Sequence, residues 1–273
     1  MIAPPRAFTS STSYWQASRA PRYSLLFALP LLALYEALAA ALSPARGGVR
    51  NGADVLLKGL VGAVAGPYAG LALGVLLIGG SLWLVARDLR THRGGLRIAV
   101  FGGMALESIV LALAFGVVVG VITAQLLGAL DVLAVVAPGT DAGTAAFVPS
   151  ALAPPPSAPG LVGAGWWAQF MVSLGAGLYE ELLFRVVLVS ALAWGGRAVF
   201  GWRPTAAAAV AVVVSALVFS AFHYVGPYGD RLELRSFAFR VVAGLFFSAL
   251  YVMRGFGITA WTHALYDVFL LAL

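Results

Sequence analysis

The feature that most constrains this chain is the length of its apolar runs. They lie at about Tyr23–Leu42, Pro67–Val85, Ile98–Leu127, Leu161–Trp194, Thr205–Tyr224 and Phe237–Met253, with a last one from Gly257 onward. Most approach the ~20 residues that a helix needs to cross a hydrocarbon core of about 30 Å. None shows the ~10-residue apolar/polar alternation of a membrane β-barrel strand. In lipid the backbone N–H and C=O groups must be satisfied within the segment, so such runs predict helices. Of the 273 residues, 61% are apolar and 10% charged, too little polar surface for a soluble domain of this size. The predicted fold is all-α, a polytopic transmembrane helical bundle of about seven spans. It divides into a polar N-terminal segment at 1–22, N-terminal transmembrane helices at 23–160 with a proline-rich loop at 131–160, and a core at 161–273. Residues 44–66, with Arg46, Arg50, Asp54 and Lys58, predict an interfacial helix. The run Leu161–Trp194 is too long for one ideal span, so it is expected to be tilted, or broken near Gly175 and Gly177.

The formal charge is +6. The arginines gather between the apolar runs, as topology determinants do, and form no basic strip interleaved with aromatics; nucleic acid is therefore not an expected partner. Cysteine is absent, which excludes disulfides, thiolate metal sites and a cysteine nucleophile. Arginine bias predicts that the loops Arg87–Arg97 and Arg197–Arg203 face the cytoplasm, together with Arg254 and the N-terminal segment. The proline-rich loop and Gly226–Ser236 then face outward.

The informative residues are the polar ones inside apolar segments, each costly in lipid unless paired or hydrated. The densest group is Glu180-Glu181-Leu182-Leu183-Phe184-Arg185. Glu181 and Arg185 are four apart and share a helix face, which suits an ion pair. Glu180 lies roughly 100° around the helix and points elsewhere. A second group, Phe219-Ser220-Ala221-Phe222-His223, ends the fifth run, and a third, His263-Ala264-Leu265-Tyr266-Asp267, lies in the last. His263 and Asp267 again share a face. A carboxylate, two imidazoles and a further acid suffice for hydrolysis by activated water. Depth raises a difficulty. With these span ends His223 falls near the outer end of its helix, whereas Glu180 and His263 lie roughly 10 Å from the cytoplasmic side at ~1.5 Å per residue. They meet only if the fifth helix is tilted or starts outside the membrane, or if the fourth is broken.

Glu-Glu-x-x-x-Arg, Phe-x-x-x-His and His-x-x-x-Asn/Asp on successive membrane helices resemble the CAAX protease and bacteriocin-processing (CPBP) family of intramembrane endopeptidases, related to the type II CAAX prenyl protease. The resemblance covers about residues 165–273. The family's Phe-x-x-Gly element is matched only in part, by Val241-Val242-Ala243-Gly244. The resemblance implies that Glu180 is the general base, that His223 holds and polarises the water, and that His263 and Asp267 sit where the oxyanion is stabilised. It implies that Glu181 and Arg185 support them, and that Phe219 is a packing residue. Asp267 stands where the family has Asn, and an ionised carboxylate cannot donate to an oxyanion. It is expected to be protonated, to pair with His263 and hold that ring protonated, or to ligate a metal; the i, i+4 spacing favours the second. Glu180, His223, His263 and Asp267 would also make a zinc set. No His-Glu-x-x-His is present, and metal-free hydrolysis is the reading preferred over zinc.

The expected partners are membrane lipid and a peptide or protein with a membrane-associated segment. The expected location is a bacterial inner membrane, read from the high ratio of arginine to lysine. Two rivals remain: a proton- or ion-coupled transporter, which predicts inverted repeats that are not seen, and a non-catalytic scaffold or immunity protein of the same fold, whose motifs should have drifted. Glu36 and Glu107 are expected to pair with Arg240, to line the cavity, or to stay protonated between helices. Trp166, Trp167, Trp194 and Trp202 read as interfacial anchors, Gly70, Gly74, Gly79 and Gly80 as close helix packing, and Arg231, Glu233 and Arg235 as a solvated loop face.

Overall fold

The computed structural model describes residues 13–42, 50–92, 94–136, 165–226 and 229–272, and among these it is all helix and turn, with no strand. A short helix α1 (Tyr14–Arg19) leads into α2 (Pro21–Leu42). Then come α3 (Gly52–Ala65) and α4 (Ala69–Thr91), joined by a tight turn at Gly66–Tyr68, and α5 (Ile98–Val136). The helix expected within 44–66 is α3, and α5 runs on into the stretch read as proline-rich loop, the rest of which lies outside the described residues.

The fourth run is neither broken nor confined to Leu161–Trp194. It is one continuous helical rod from Trp166 to Phe200. The rod begins as α6 (Trp166–Gly175), widens into π-type winding over Ala176–Glu180 and Leu182–Leu188, and regains ordinary pitch in α7 (Val189–Phe200). The discontinuity expected at Gly175 and Gly177 is thus a change of winding. After α8 (Pro204–Phe222) and α9 (Leu234–Arg254), α10 (Phe256–Leu270) completes the bundle.

Among the described residues six helical stretches are long and apolar enough to cross a membrane. The seventh predicted span is α10, only 15 residues, about 22 Å at 1.5 Å per residue and short of the hydrocarbon core. Its burial explains how it can be short. Ala260 and Ala264 pack into one apolar cluster with Leu31, Tyr35, Met171, Leu178 and Phe184. Ile258 and Tyr266, on the same helix, enter a second cluster with Met104, Phe115, Val119 and Phe247. α10 is therefore the shared core of the bundle and need not meet lipid along its length.

Arginine-bearing connections meet at one end. Arg22 donates to Asp88 at 2.6 Å and to the Gly94 carbonyl at 2.6 Å, tying the start of α2 to the link between α4 and α5. Arg254 donates to Ser18 at 3.0 Å and to Glu107 at 2.5 and 2.7 Å, and Tyr14 donates to Glu107 at 2.5 Å. Glu107 is therefore paired with Arg254, and not with Arg240. Glu36 accepts from Arg50, Lys58 and Tyr179. Arg240 pairs with Asp230 instead. These carboxylates found cations closer than Arg240 on the helices that pack against them.

The glycines that allow close packing are also not the expected ones. A Cβ at Gly74, Gly79 or Gly80 would meet nothing within 4 Å, and one at Gly70 would meet only Lys58, at 3.9 Å. At Gly177 it would stand 2.6 Å from the Ala264 Cβ and against the Ala260 carbonyl, so α10 touches the rod backbone there. Trp166, Trp167, Trp194 and Trp202 are exposed, as interfacial anchors are, and so are Arg231, Glu233 and Arg235.

Candidate active site

The hairpin of the rod and α8 sets the register of the first two motifs. Glu180 and His223 lie about equally far along the chain from the turn at Gly201–Arg203, about 30 Å at the helical rise. Contacts across the hairpin fix this match: the Phe184 and Phe219 rings sit edge to face at 5.2 Å, and Ser215 Oγ donates to the Phe184 carbonyl at 2.8 Å. The depth difficulty disappears because the rod does not end at Trp194. It continues through Gly195–Phe200 despite Arg197, which carries the turn farther from the site.

Glu181 is fully buried and serves two partners. Its Oε1 lies 2.7 Å from Nδ1 of His263, and its Oε2 lies 3.1 Å from Nε of Arg185. The i, i+4 pair read from the sequence is thus present, with an imidazole added to it. Arg185 is itself buried, covers the Phe219 ring at 4.5 Å, and reaches the Gly244 carbonyl at 3.4 Å. His263 stacks on Phe247 at 4.4 Å. A carboxylate accepts and cannot donate, so Nδ1 of His263 carries the hydrogen shared with Glu181. Asp267 is not the hydrogen-bonded partner of that ring. Its Oδ2 stands 3.8 Å from Nε2, within ion-pair range but beyond a hydrogen bond. Glu181 takes the nearer place because the rod packs directly on α10 at Gly177.

Glu180 diverges from Glu181, as the helical phase predicts. It is 7% exposed, and its Oε1 accepts from the side-chain amide of Asn51 at 2.9 Å. Oε2 is buried and has no protein partner. The charges that act on it most are those of His223 and His263, followed by Arg185. Glu180, His223 and His263 come from three different helical elements, and the His223 and His263 rings both stand against the Phe219 ring, at 5.0 and 6.3 Å. His223 caps the C-terminal end of α8 and its Nδ1 lies 2.9 Å from the Phe219 carbonyl. A carbonyl only accepts, so Nδ1 donates and Nε2 is left with its lone pair. The group comes nearest the protein surface at His223, which is half-buried, and at Asp267, which is 29% exposed.

Asn51 is the site residue that the sequence reading missed. It lies in no motif. Its one local signal is that of a polar residue just before a helix, the N-cap of α3.

Residues 162–269 match the family described as type II CAAX prenyl endopeptidase Rce1-like. This stretch is an Rce1-like domain. It contains Glu180, Glu181, Arg185, Phe219, His223, His263 and Asp267, and Asn51 lies outside it. No curated protein and no solved structure matches the chain. The Rce1-like domain corresponds to the rod, α8, α9 and nearly all of α10, and it sits in an all-helical membrane bundle.

Proposed function

We propose that this chain is an intramembrane endopeptidase that hydrolyses a peptide bond in a membrane-associated protein or peptide. The observation that carries the reading is Oε2 of Glu180, buried and without a protein partner, on a rod that packs against both α8 and α10, the helices that bear His223 and His263. A water placed between Glu180 Oε2 and His223 Nε2 donates one hydrogen to each, which leaves an oxygen lone pair for the carbonyl carbon. As that oxygen attacks, Glu180 takes its proton and the carbonyl oxygen becomes an oxyanion. A doubly protonated His263, held by Glu181 at Nδ1, presents Nε2–H to that oxyanion, since Asp267 at 3.8 Å leaves Nε2 without a hydrogen bond. Asp267 helps hold the second proton on the ring. Collapse of the intermediate breaks the C–N bond, and Glu180 returns its proton to the leaving amine. Arg185 and Phe219 fix the first turn of this network.

The match to the type II CAAX prenyl endopeptidase Rce1-like family supports, as part of this reading, a substrate with a lipid-embedded or lipid-modified segment. We further propose the bacterial inner membrane as its location. Zinc is the alternative to metal-free chemistry. The donor types suit it, since Glu180, His223 and His263 each keep one atom outside their protein bonds, but among the described residues no three His, Asp or Glu side chains are placed to hold an ion together. Those atoms, with Asp267, would have to draw together to hold the ion, and zinc would then supply Lewis acidity. Metal-free hydrolysis remains the preferred reading.

The test is a peptidase assay in detergent with wild type, Glu180→Ala, His223→Ala and His263→Ala. Each variant is expected to lose at least about 100-fold in kcat, the scale of one general acid or base. Equal activity in all four proteins removes the reading. Thorough chelation is expected to leave activity intact; activity that vanishes and returns with one equivalent of zinc overturns the metal-free form.

A further inference from the structure

We infer that Asn51 is a positioning residue for the Glu180 carboxylate: its amide anchors Oε1 and so makes Oε2 the oxygen that takes the proton from water. The inference rests on Glu180 being the base.

Two bonds fix Asn51 from opposite sides. Its Oδ1 accepts the Ala53 N–H at 2.9 Å, which caps α3 and forces the amide nitrogen to face Glu180, 2.9 Å away. Its main-chain N–H donates to the Tyr35 hydroxyl at 3.2 Å, and that hydroxyl donates to Asp54 at 2.8 Å. Asp54 is fully buried and paired with Arg50 at 3.1 Å and Lys58 at 2.7 Å, so the chain of bonds ends on a neutralised group. Asn51 is itself 4% exposed. Among good N-cap residues, Asn alone combines a carbonyl acceptor for the cap with a separate NH₂ donor long enough for a carboxylate.

The backbone has made room for this contact. A Cβ at Gly175 would stand 2.8 Å from the Asn51 Cβ and 2.5 Å from Tyr35 Cε2, so a bare glycine lets α2 and α3 close on the rod just before Glu180. Tyr179 adds a second grip: its hydroxyl donates to Glu36 on α2 at 2.7 Å, and its ring meets Tyr35 edge to face at 5.1 Å. The segment 175–180 is held by α2 and α3 at Gly175, Tyr179 and Glu180. With Oε1 anchored, rotation of the carboxylate costs that hydrogen bond, which leaves Oε2 as the oxygen without a protein partner.

The decisive variant is Asn51→Ser, assayed in the full chain in detergent. Serine keeps an oxygen for the cap and removes the donor to Glu180. The expected result is a kcat lower by about 10- to 100-fold, the loss of one hydrogen bond to a charged group, with KM and the unfolding midpoint close to wild type. Asn51→Asp keeps the shape and the cap but turns an oxygen toward the carboxylate, and is expected to lose at least as much. It serves if Asn51→Ser unfolds. Wild-type kcat in the well-folded variant, or a loss carried wholly by KM, overturns the inference. Glu180→Gln separates the two levels. If it is inactive while Asn51→Ser is normal, only the positioning role fails; if it is active, the base assignment fails and the inference with it.

Discussion

Glu181 divides its oxygens between an imidazole and a guanidinium, and none of the three groups has water to fall back on. Removing one member of such a set leaves the others charged and buried. Glu181→Gln is therefore expected to destabilise the protein by about 3–5 kcal/mol and to abolish activity, measured by denaturant unfolding in mixed micelles beside the peptidase assay. A Glu180→Gln protein should keep most of its stability, because its Asn51 partner is a neutral amide. Asp267 is a different case, since it lies 3.8 Å from the ring and is partly exposed. Asp267→Asn is expected to give activity equal to or below wild type. A large rise would mean that the carboxylate opposes the oxyanion and has no useful part. At this scale the sequence is legible wherever a spacing states a face: Glu181 with Arg185, and Glu180 turned away from both. It is not legible where partners come from distant segments. Nothing in His263-x-x-x-Asp267 shows that a glutamate 82 positions earlier takes the nearer side of the ring.

Helix winding and helix contact decide where these residues point. The rod changes to π-type winding from Ala176 to Leu188, interrupted only at Glu181, so both glutamates of the Glu-Glu-x-x-x-Arg motif lie in or beside the widened turns. π-bulges recur at functional sites because they re-aim side chains without breaking the helix. Hydropathy sees the length of this run but not its pitch, which is why it reads as a tilt or a break. Direct contact of the rod with α10 depends on Gly177. Gly177→Ala would push a methyl against the Ala260 carbonyl and the Ala264 Cβ, and is expected to cost about 1–3 kcal/mol and most of the activity. Gly74→Ala, facing open space, should do neither, and thermal unfolding of the two variants in one detergent compares them. The short α1 is clasped by Tyr14 and Arg254 on Glu107. Burial, and next the hydrogen bond to Glu107, push the Tyr14 phenol up to about 12. The folded state thus favours the neutral phenol. Its contribution is full below the usual value near 10 and is lost as pH rises through about 12. Tyr14→Phe should remove that part of the alkaline loss of stability.

At the level of the molecule, the match over residues 162–269 accounts for the motifs but not for Asn51 or the N-terminal helices packed on them. Ala260, Ala264, Leu178 and Phe184 share their apolar cluster with Leu31, Leu32, Tyr35 and Leu57, all from the part without a recognisable signature. Residues 162–273 expressed alone are expected to bare that face and aggregate in detergent, as size-exclusion chromatography would show, whereas the full chain stays dispersed. The all-α class and six of the seven expected spans follow from composition and run length, whereas the shortness of α10 does not. The role of the N-terminal helices does not, because a single amide on an N-cap carries no periodic signal. The separation of Asn51, Glu180, His223 and His263 along the chain bears on biogenesis. A ribosome emits these groups in sequence, and on the proposed mechanism Glu180 stays without His263, its proposed oxyanion donor, until α10 has been inserted. A nascent, half-threaded copy would therefore be unable to cut its neighbours at the translocon, and proteolytic competence would appear only when the bundle is whole.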